Sequence, residues 1–206
     1  MARVQLPEAS ARGGFEEMYR GGGPPPWDIG RPQGAFVLLE EQGKVGARVL
    51  DVGCGTGENA LHMAARGHEA WGVDGAPTAV RMARKKAKER KLDARFEEGS
   101  VLRLEELGAT FDTVIDSGLF HTLSDEQRPM FAASVRSVLN KGGRYFMLCF
   151  SEHEPGDWGP RRVTQAEIRA TFGSGWKVES IEAAVFEDTM SGSDGPRAWL
   201  AKLRRA

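Results

Sequence analysis

The stretch that decides the fold reads Val49-Leu50-Asp51-Val52-Gly53-Cys54-Gly55-Thr56-Gly57-Glu58-Asn59. An apolar, β-branched run ending at Val52 meets glycines at every second position, and Leu61, Ala64 and Ala65 then recur at helical spacing. The pattern predicts a strand, a tight turn and a helix. Glycine carries an entropic cost that a plain connector need not bear, so Gly53, Gly55 and Gly57 mark a place where backbone bends sharply and a ligand comes close. The competing reading is a glycine-rich turn that holds nothing.

The spacing separates this turn from two common nucleotide sites. Glu58 occupies the position where a dinucleotide turn carries its third glycine, and a bulky acid there hinders close helix-strand packing under a pyrophosphate. No Gly-Lys-Ser/Thr follows, which excludes a Walker A loop. A second strand, Glu69 to Val73, ends at Asp74, about twenty residues beyond the first, where a carboxylate can accept hydrogen bonds from both hydroxyls of a ribose. The expected ligand is an adenosine without a diphosphate.

Val49 to Gly57, Gly72-Val73-Asp74 and Phe111 to Asp116 resemble the first, second and fourth motifs of the class I S-adenosylmethionine-dependent methyltransferases, and the likeness runs from about Tyr19 to the C-terminus. Pro26 to Gln33 resembles the small-molecule branch, which includes thiol, halide and thiopurine methyltransferases and bacterial heterocycle or quinone methyltransferases. The resemblance implies an α/β fold: a Rossmann-like, doubly wound, mostly parallel seven-stranded sheet with an antiparallel last strand, helices on both faces and an N-terminal helical lid. It implies S-adenosylmethionine as cofactor, with the turn residues Asp51, Gly53, Cys54, Gly55, Gly57 and Asn59 around the methionine part, although Asp51 is expected to organise the turn. Asp74 and Gly75 would take the ribose. Ser100 and Val101 would take the adenine, the Ser100 hydroxyl replacing an acid that many relatives carry there, or the ring resting on backbone and apolar contacts. Asp116 and Ser117 lie at a strand end beside the crevice. Tyr19, Trp27 and Phe120 would face the sulfonium, because aromatic faces attract cations.

With 206 residues, 40% hydrophobic and 28% charged, the chain is expected to form one domain, 1–206, with a tail and cofactor lid over 1–44 and an α/β core over 45–206. Its 28 basic residues nearly cancel 29 acidic ones, which removes the charge footprint of sequence-independent nucleic-acid binding. The basic run Arg81 to Lys91 reads as a solvated helix face. Two cysteines, Cys54 and Cys149, are too few for a disulfide framework, and no stretch approaches the ~20 apolar residues of a membrane span. A reducing, cytoplasmic setting, no membrane and no nucleic-acid partner, and a monomer or weak homodimer are expected. The four histidines are scattered, without metal-ligand spacing.

In chain order, Gly13 to Arg20 forms a short helix, Gly21 to Pro26 a hinge and a strut, and a helix begins near Arg31 with Pro32 in its first turn and Phe36, Leu38 and Leu39 buried. Trp27 is either a lid residue or a core plug. Strands and helices then alternate, as in a parallel sheet. Capping boxes are expected at Ser124/Gln127 and Thr164/Glu167. Gly142-Gly143 turns into a strand from Arg144 to Phe150, and Lys177 to Phe186 and Ala198 to Leu203 are the final strands, joined by the turn Ser191 to Pro196. The long loop Ser151 to Val163 reads as an acceptor-site wall, with Trp158, Arg161 and Arg162 as substrate candidates.

Methyl transfer from a sulfonium needs mainly positioning, and a base only when the acceptor enters neutral. His121, at a crevice edge, is the candidate base, against the plain alternative of a histidine bonded to backbone. His153, with Arg161 and Arg162, is the second candidate, against surface ion pairing. The function expected is methylation of a small aromatic or heterocyclic acceptor on oxygen, nitrogen or sulfur. The rivals are a thiol or halide methyltransferase, a non-catalytic sensor of the cofactor, and a nicotinamide oxidoreductase.

Overall fold

In the computed structural model, which describes residues 12–21, 23–192 and 195–206, seven strands share one sheet. They are β1 (Arg48–Val52), β2 (Glu69–Asp74), β3 (Ala94–Glu98), β4 (Phe111–Ser117), β5 (Leu139–Phe150), β6 (Trp176–Val185) and β7 (Arg197–Arg205). Their spatial order is β3-β2-β1-β4-β5-β7-β6, parallel except that β7 runs antiparallel to both neighbours. The doubly wound sheet with an antiparallel last strand is therefore as the sequence predicts. The tail before residue 12, Gly22, and part of the Ser191 to Pro196 turn lie outside the described residues.

The helices are α1 (Arg12–Arg20), α2 (Gly34–Glu41), α3 (Glu58–Ala65), α4 (Pro77–Arg90), α5 (Gln127–Val138) and α6 (Gln165–Thr171). Strand alternation sends Val49, Ile115 and Phe146 to one face, where Phe36 and Leu39 of α2 and Met63 of α3 cover them. Leu50, Val114, Tyr145 and Met147 face the other way, against Phe131 and Val135 of α5 and Ile168 of α6. The chain leaves β1 first toward β2 and β3 and later crosses back to β4, so the winding reverses between β1 and β4. In open α/β sheets ligands bind at that reversal, outside the carboxyl ends of the strands.

Local expectations are met unevenly. The Thr164/Glu167 box closes as expected, with Glu167 N–H donating to Thr164 Oγ1 at 3.1 Å and Thr164 N–H to Glu167 Oε2 at 2.7 Å. Ser124 and Gln127 also bond reciprocally, at 3.0 and 3.3 Å, although the regular helix starts only at Gln127. Helix α2 begins at Gly34, not Arg31, because Gln33 is extended and its N–H is held by Asn59 Oδ1 at 2.9 Å. Leu38 is 54% exposed, since the α2 face that meets the sheet carries Phe36 and Leu39. Gly142-Gly143 is no turn before a strand: β5 already starts at Leu139, and the glycines form a bulge in its pairing with β4, pinned by Asn140 Nδ2 donating to Asp112 Oδ1 at 2.8 Å. Among the described residues no helix is long and apolar enough to cross a membrane.

Candidate active site

A cavity of about 1040 Å³ opens over the carboxyl ends of β1 to β4. Single small ligands occupy pockets of roughly 300 to 1000 Å³, so this one has room for two. Its floor includes Gly53, Ser117 and Gly118, where the first and fourth strands end. One end is built from Asp74, Gly75, Gly99, Ser100, Val101 and Leu102. Asp74 Oδ2 accepts from Gly55 N–H and Oδ1 from Ala76 N–H, both at 2.8 Å, which fixes the carboxylate while leaving each oxygen a lone pair. Burial raises its pKa, against the pull of those backbone donors. A Cβ on Gly75 would meet only Gly99 O, at 3.8 Å, and the Ser100 hydroxyl accepts from Leu102 N–H at 3.3 Å. A ribose diol and a flat purine fit this end.

The three glycines do different jobs. Gly53, at φ +66°, lies on the cavity floor. A Cβ on Gly55 would stand 2.7 Å from the Tyr19 hydroxyl, so this glycine admits the phenol. A Cβ on Gly57 would stand 2.7 Å from Phe96 Cε1 and 2.9 Å from Ala83 Cβ, so this one lets the turn press on α4 and β3. Gly55 and Gly57 therefore serve packing, and neither lines the cavity. Cys54 is buried against the same cluster as Phe96, and Asn59 holds Gln33; both lie outside the wall.

Burial and side-chain direction bear on three further expectations. Asp51 is buried beneath the turn and outside the wall, where burial pushes its carboxyl well above the usual range. Asp116 points into the protein: it accepts from Leu119 N–H at 2.8 Å, Phe120 N–H at 3.2 Å and the Tyr145 hydroxyl at 2.8 Å, so it shapes the next turn. Phe120 cannot face a sulfonium, because it is fully buried against Phe131 and Phe172.

Tyr19 and Trp27 both line the cavity, joined by the Trp27 indole N–H donating to the Tyr19 hydroxyl at 2.8 Å. Glu16 fastens α1 to the start of α4, accepting from Thr78 N–H at 2.9 Å and Thr78 Oγ1 at 2.6 Å. Asp28 accepts from the Thr56 hydroxyl at 2.8 Å, tying the same segment to the glycine turn.

The opposite end is aromatic, formed by Phe150, Trp158, Phe186 and His121, with Asp188 and Met190 at its edge. His121 Nδ1 accepts from Phe150 N–H at 3.0 Å. The neutral ring therefore carries its proton on Nε2 and is a donor. Burial, helped by Arg162 and Arg128, holds its pKa at about 3, so it takes no proton near neutrality. His153 is outside, its ring against Trp199 at 5.2 Å. Arg161 is also outside, paired with Asp125 at 2.5 Å and with Glu167. Arg162 is a loop staple, donating to the carbonyls of Glu154, Pro155, Trp158 and Pro160. Sequence reasoning missed Phe150, Phe186 and Met190; the first two are aromatics at or just past the end of a strand, which is a readable signal once those strands are known to point at the crevice.

His121 gives one prediction. Its folded pKa of about 3 lies below the ordinary 6.5, so between these values the unfolded chain binds the extra proton and stability rises with pH. Asp116 acts oppositely: raised from 3.8 to about 7, it keeps a proton that the unfolded chain has lost, and stability falls as pH rises through that window. The two oppose each other between 3.8 and 6.5. Relative to wild type, His121→Gln is expected to gain stability on acidification from 6.5 toward 3.8, by up to about 1.4 kcal/mol per pH unit. Parallel denaturation midpoints for the two proteins across that range would contradict the buried neutral ring.

A mostly parallel sheet wound about a glycine turn, with a buried carboxylate facing the cavity at the end of β2, is the architecture expected of an S-adenosylmethionine-dependent methyltransferase. The comparisons with known proteins agree. A methyltransferase-domain family model matches residues 49–143. A 2-heptyl-1-hydroxyquinolin-4(1H)-one methyltransferase of Mycobacteroides abscessus is 38% identical over 179 residues, 82% of this chain and 79% of that one. A probable thiol methyltransferase of Arabidopsis thaliana is 29% identical over 210 residues, 98% of this chain and 87% of that one. A solved structure described under the conversion of a disulfide bond into a thioacetal group during echinomycin biosynthesis superposes with a TM-score of 0.84 at 35% identity, over 93% of this chain and 91% of that one. The chain belongs to the S-adenosylmethionine-dependent small-molecule methyltransferases.

The N-terminal segment gives a second prediction. The segment is held by hydrogen bonds at Glu16, Pro26 and Asp28 and by Trp27 against the Phe36 cluster, and Trp27 gains burial if a ligand lies beneath it. Hydrogen exchange over Phe15 to Ile29 is expected to slow when S-adenosylmethionine is added. Equal exchange with and without it would rule out a lid.

Proposed function

We propose that the protein methylates a small, planar heteroaromatic acceptor on an acidic oxygen, nitrogen or sulfur atom. The observation that carries this reading is the cavity end opposite Asp74, where Phe150, Trp158 and Phe186, their rings packed edge to face, form an apolar wall beside the His121 ring. The Mycobacteroides relative named for a hydroxyquinolinone supports the same chemical class.

S-adenosylmethionine, when bound, supplies a methyl group already activated by the positive charge on its sulfur. The protein's part is to bind, orient and exclude water, and orientation alone can contribute on the order of 7 to 11 kcal/mol. Asp74, Gly75 and the Ser100-Val101 segment hold the nucleoside end. Tyr19 and Trp27 close the cavity over the glycine turn and keep water out. Phe150, Trp158 and Phe186 fix the plane of the acceptor, and the His121 Nε2–H donates to its polar atom. At this end His121 is a donor, and Asp188 is engaged by Met190 N–H, Ser191 N–H and the Ser191 hydroxyl. With His121 a donor, an acceptor that brings its own acidity is favoured, N-hydroxy heterocycles over simple phenols.

A thiol is the second reading, favoured by His121 being a donor and not a base and by the plant relative. Mass spectrometry of products from S-adenosylmethionine with hydroxyquinolinones, phenols and simple thiols separates them. One added methyl group on a hydroxyquinolinone is expected. Methylation of simple thiols alone would replace this reading with the second, and no product from any acceptor would overturn both.

A further inference from the structure

Arg128 of α5 is a charge that stitching the fold does not explain. Its side chain is 3% exposed, and only Nη1 is engaged, donating to Glu167 Oε1 at 3.1 Å and standing 3.7 Å from Asp125. Nε and Nη2 are buried with no hydrogen-bond partner. A cation used only to join α5 to α6 would be a poor choice, because stranding donors on a buried charge costs more than the pair returns. Its guanidinium lies over the Phe120 ring, 4.7 Å from the centroid, one residue from His121 in the cavity wall.

Arg162 backs the same end from the loop. Its guanidinium lies 5.5 Å from the Phe150 centroid and 5.3 Å from that of Trp158, and both rings line the cavity. The other charges about this end are Glu167 on α6, Asp125 before α5, Glu152, Glu154, Asp157 and Arg161 on the 151–163 loop, and Asp188 after β6; the Cys149 thiol on β5 is kept protonated by burial. Asp125 is 73% exposed and water screens it, while Arg128 is screened far less. Both arginines help hold His121 neutral, so their field reaches the wall.

We infer that Arg128 and Arg162 form a cationic backing to the aromatic end of the cavity, which binds the acceptor as its conjugate anion and releases its proton to solvent on binding. Neither arginine lines the cavity, so both are positioning residues that act through their field. The inference rests on the acidic heteroaromatic acceptor proposed above.

Absorbance pH titration of 1-hydroxyquinolin-4(1H)-one or 4-nitrophenol bound to the protein tests it, with S-adenosylhomocysteine present to prevent turnover. The ionisation midpoint of the bound probe is expected about one pH unit or more below that of the free probe. Arg128→Met should remove most of that shift and Arg128→Lys should keep it, with S-adenosylhomocysteine affinity unchanged in both; Arg162→Met is the second variant, expected to remove part. A wild-type midpoint equal to or above that of the free probe would overturn the inference, whichever variants fold, as would an Arg128→Met protein with the full shift. Failure of both probes to bind would instead overturn the heteroaromatic reading, and this inference with it.

Discussion

Asp74→Ala is expected to weaken S-adenosylmethionine binding by about a hundredfold or more. The carboxylate holds Gly55 N–H and Ala76 N–H and faces the cavity, so its removal takes away the proposed ribose acceptor and also frees two backbone donors that shape the turn. Each hydrogen bond to a charged group contributes about 1.5 to 3 kcal/mol, and two such losses give the predicted factor. Isothermal titration calorimetry reads it directly. Asp74→Asn, which keeps the shape but loses the charge, should fall between the two, and unchanged affinity in the alanine protein would mean that the cofactor lies elsewhere.

Gly57→Val is expected to destabilise the protein by about 2 to 5 kcal/mol. At φ +88° a branched residue is strained, and its Cβ would overlap Phe96 and Ala83 in the small cluster that joins α3, α4 and β3. Overpacking of this kind costs about 1 to 3 kcal/mol and the backbone about 1 to 2 more, against a total stability of roughly 5 to 15 kcal/mol. Gly55→Val should behave differently. The atom it meets is the hydroxyl at the far end of the Tyr19 side chain, which can give way where backbone or ring carbons cannot, so the thermal midpoint should fall less while the cavity loses its cover. Thermal melts of the two variants side by side distinguish these roles; equal midpoints would mean the two glycines are interchangeable.

The sheet was legible because its signals are local. The Val49 to Asn59 turn, the acid closing β2 and the Thr164/Glu167 box each lie within a few residues of the structure they specify. Side-chain direction after a strand was not legible. Asp116, Ser117, Phe120 and His121 follow one another at the end of β4, yet Ser117 and His121 reach the cavity while Asp116 caps the turn and Phe120 enters the core. A short 3-10 turn over Phe120–Thr122 decides which goes where, and no periodicity announces it. His153 and Arg161 failed as site residues for a similar reason, since an irregular loop has no readable inside. The wall at Phe186 and Met190 depends on distant pairing: the Gln33 side chain donates to Glu187 O at 2.8 Å and accepts from Glu187 N–H at 3.0 Å, and Thr189 N–H donates to Pro26 O at 2.9 Å. Contacts between the two ends of the chain leave no mark in either sequence alone.

The most direct test of where each half of the reaction is held is a crystal structure of the protein with S-adenosylhomocysteine and 1-hydroxyquinolin-4(1H)-one. The ribose is expected on Asp74, the quinolinone ring among Phe150, Trp158 and Phe186, and an oxygen of that ring within hydrogen-bonding distance of His121 Nε2, with His121 Nδ1 still bonded to Phe150 N–H. A quinolinone bound away from these aromatic residues, or a His121 turned so that Nδ1 leaves Phe150, would contradict the account.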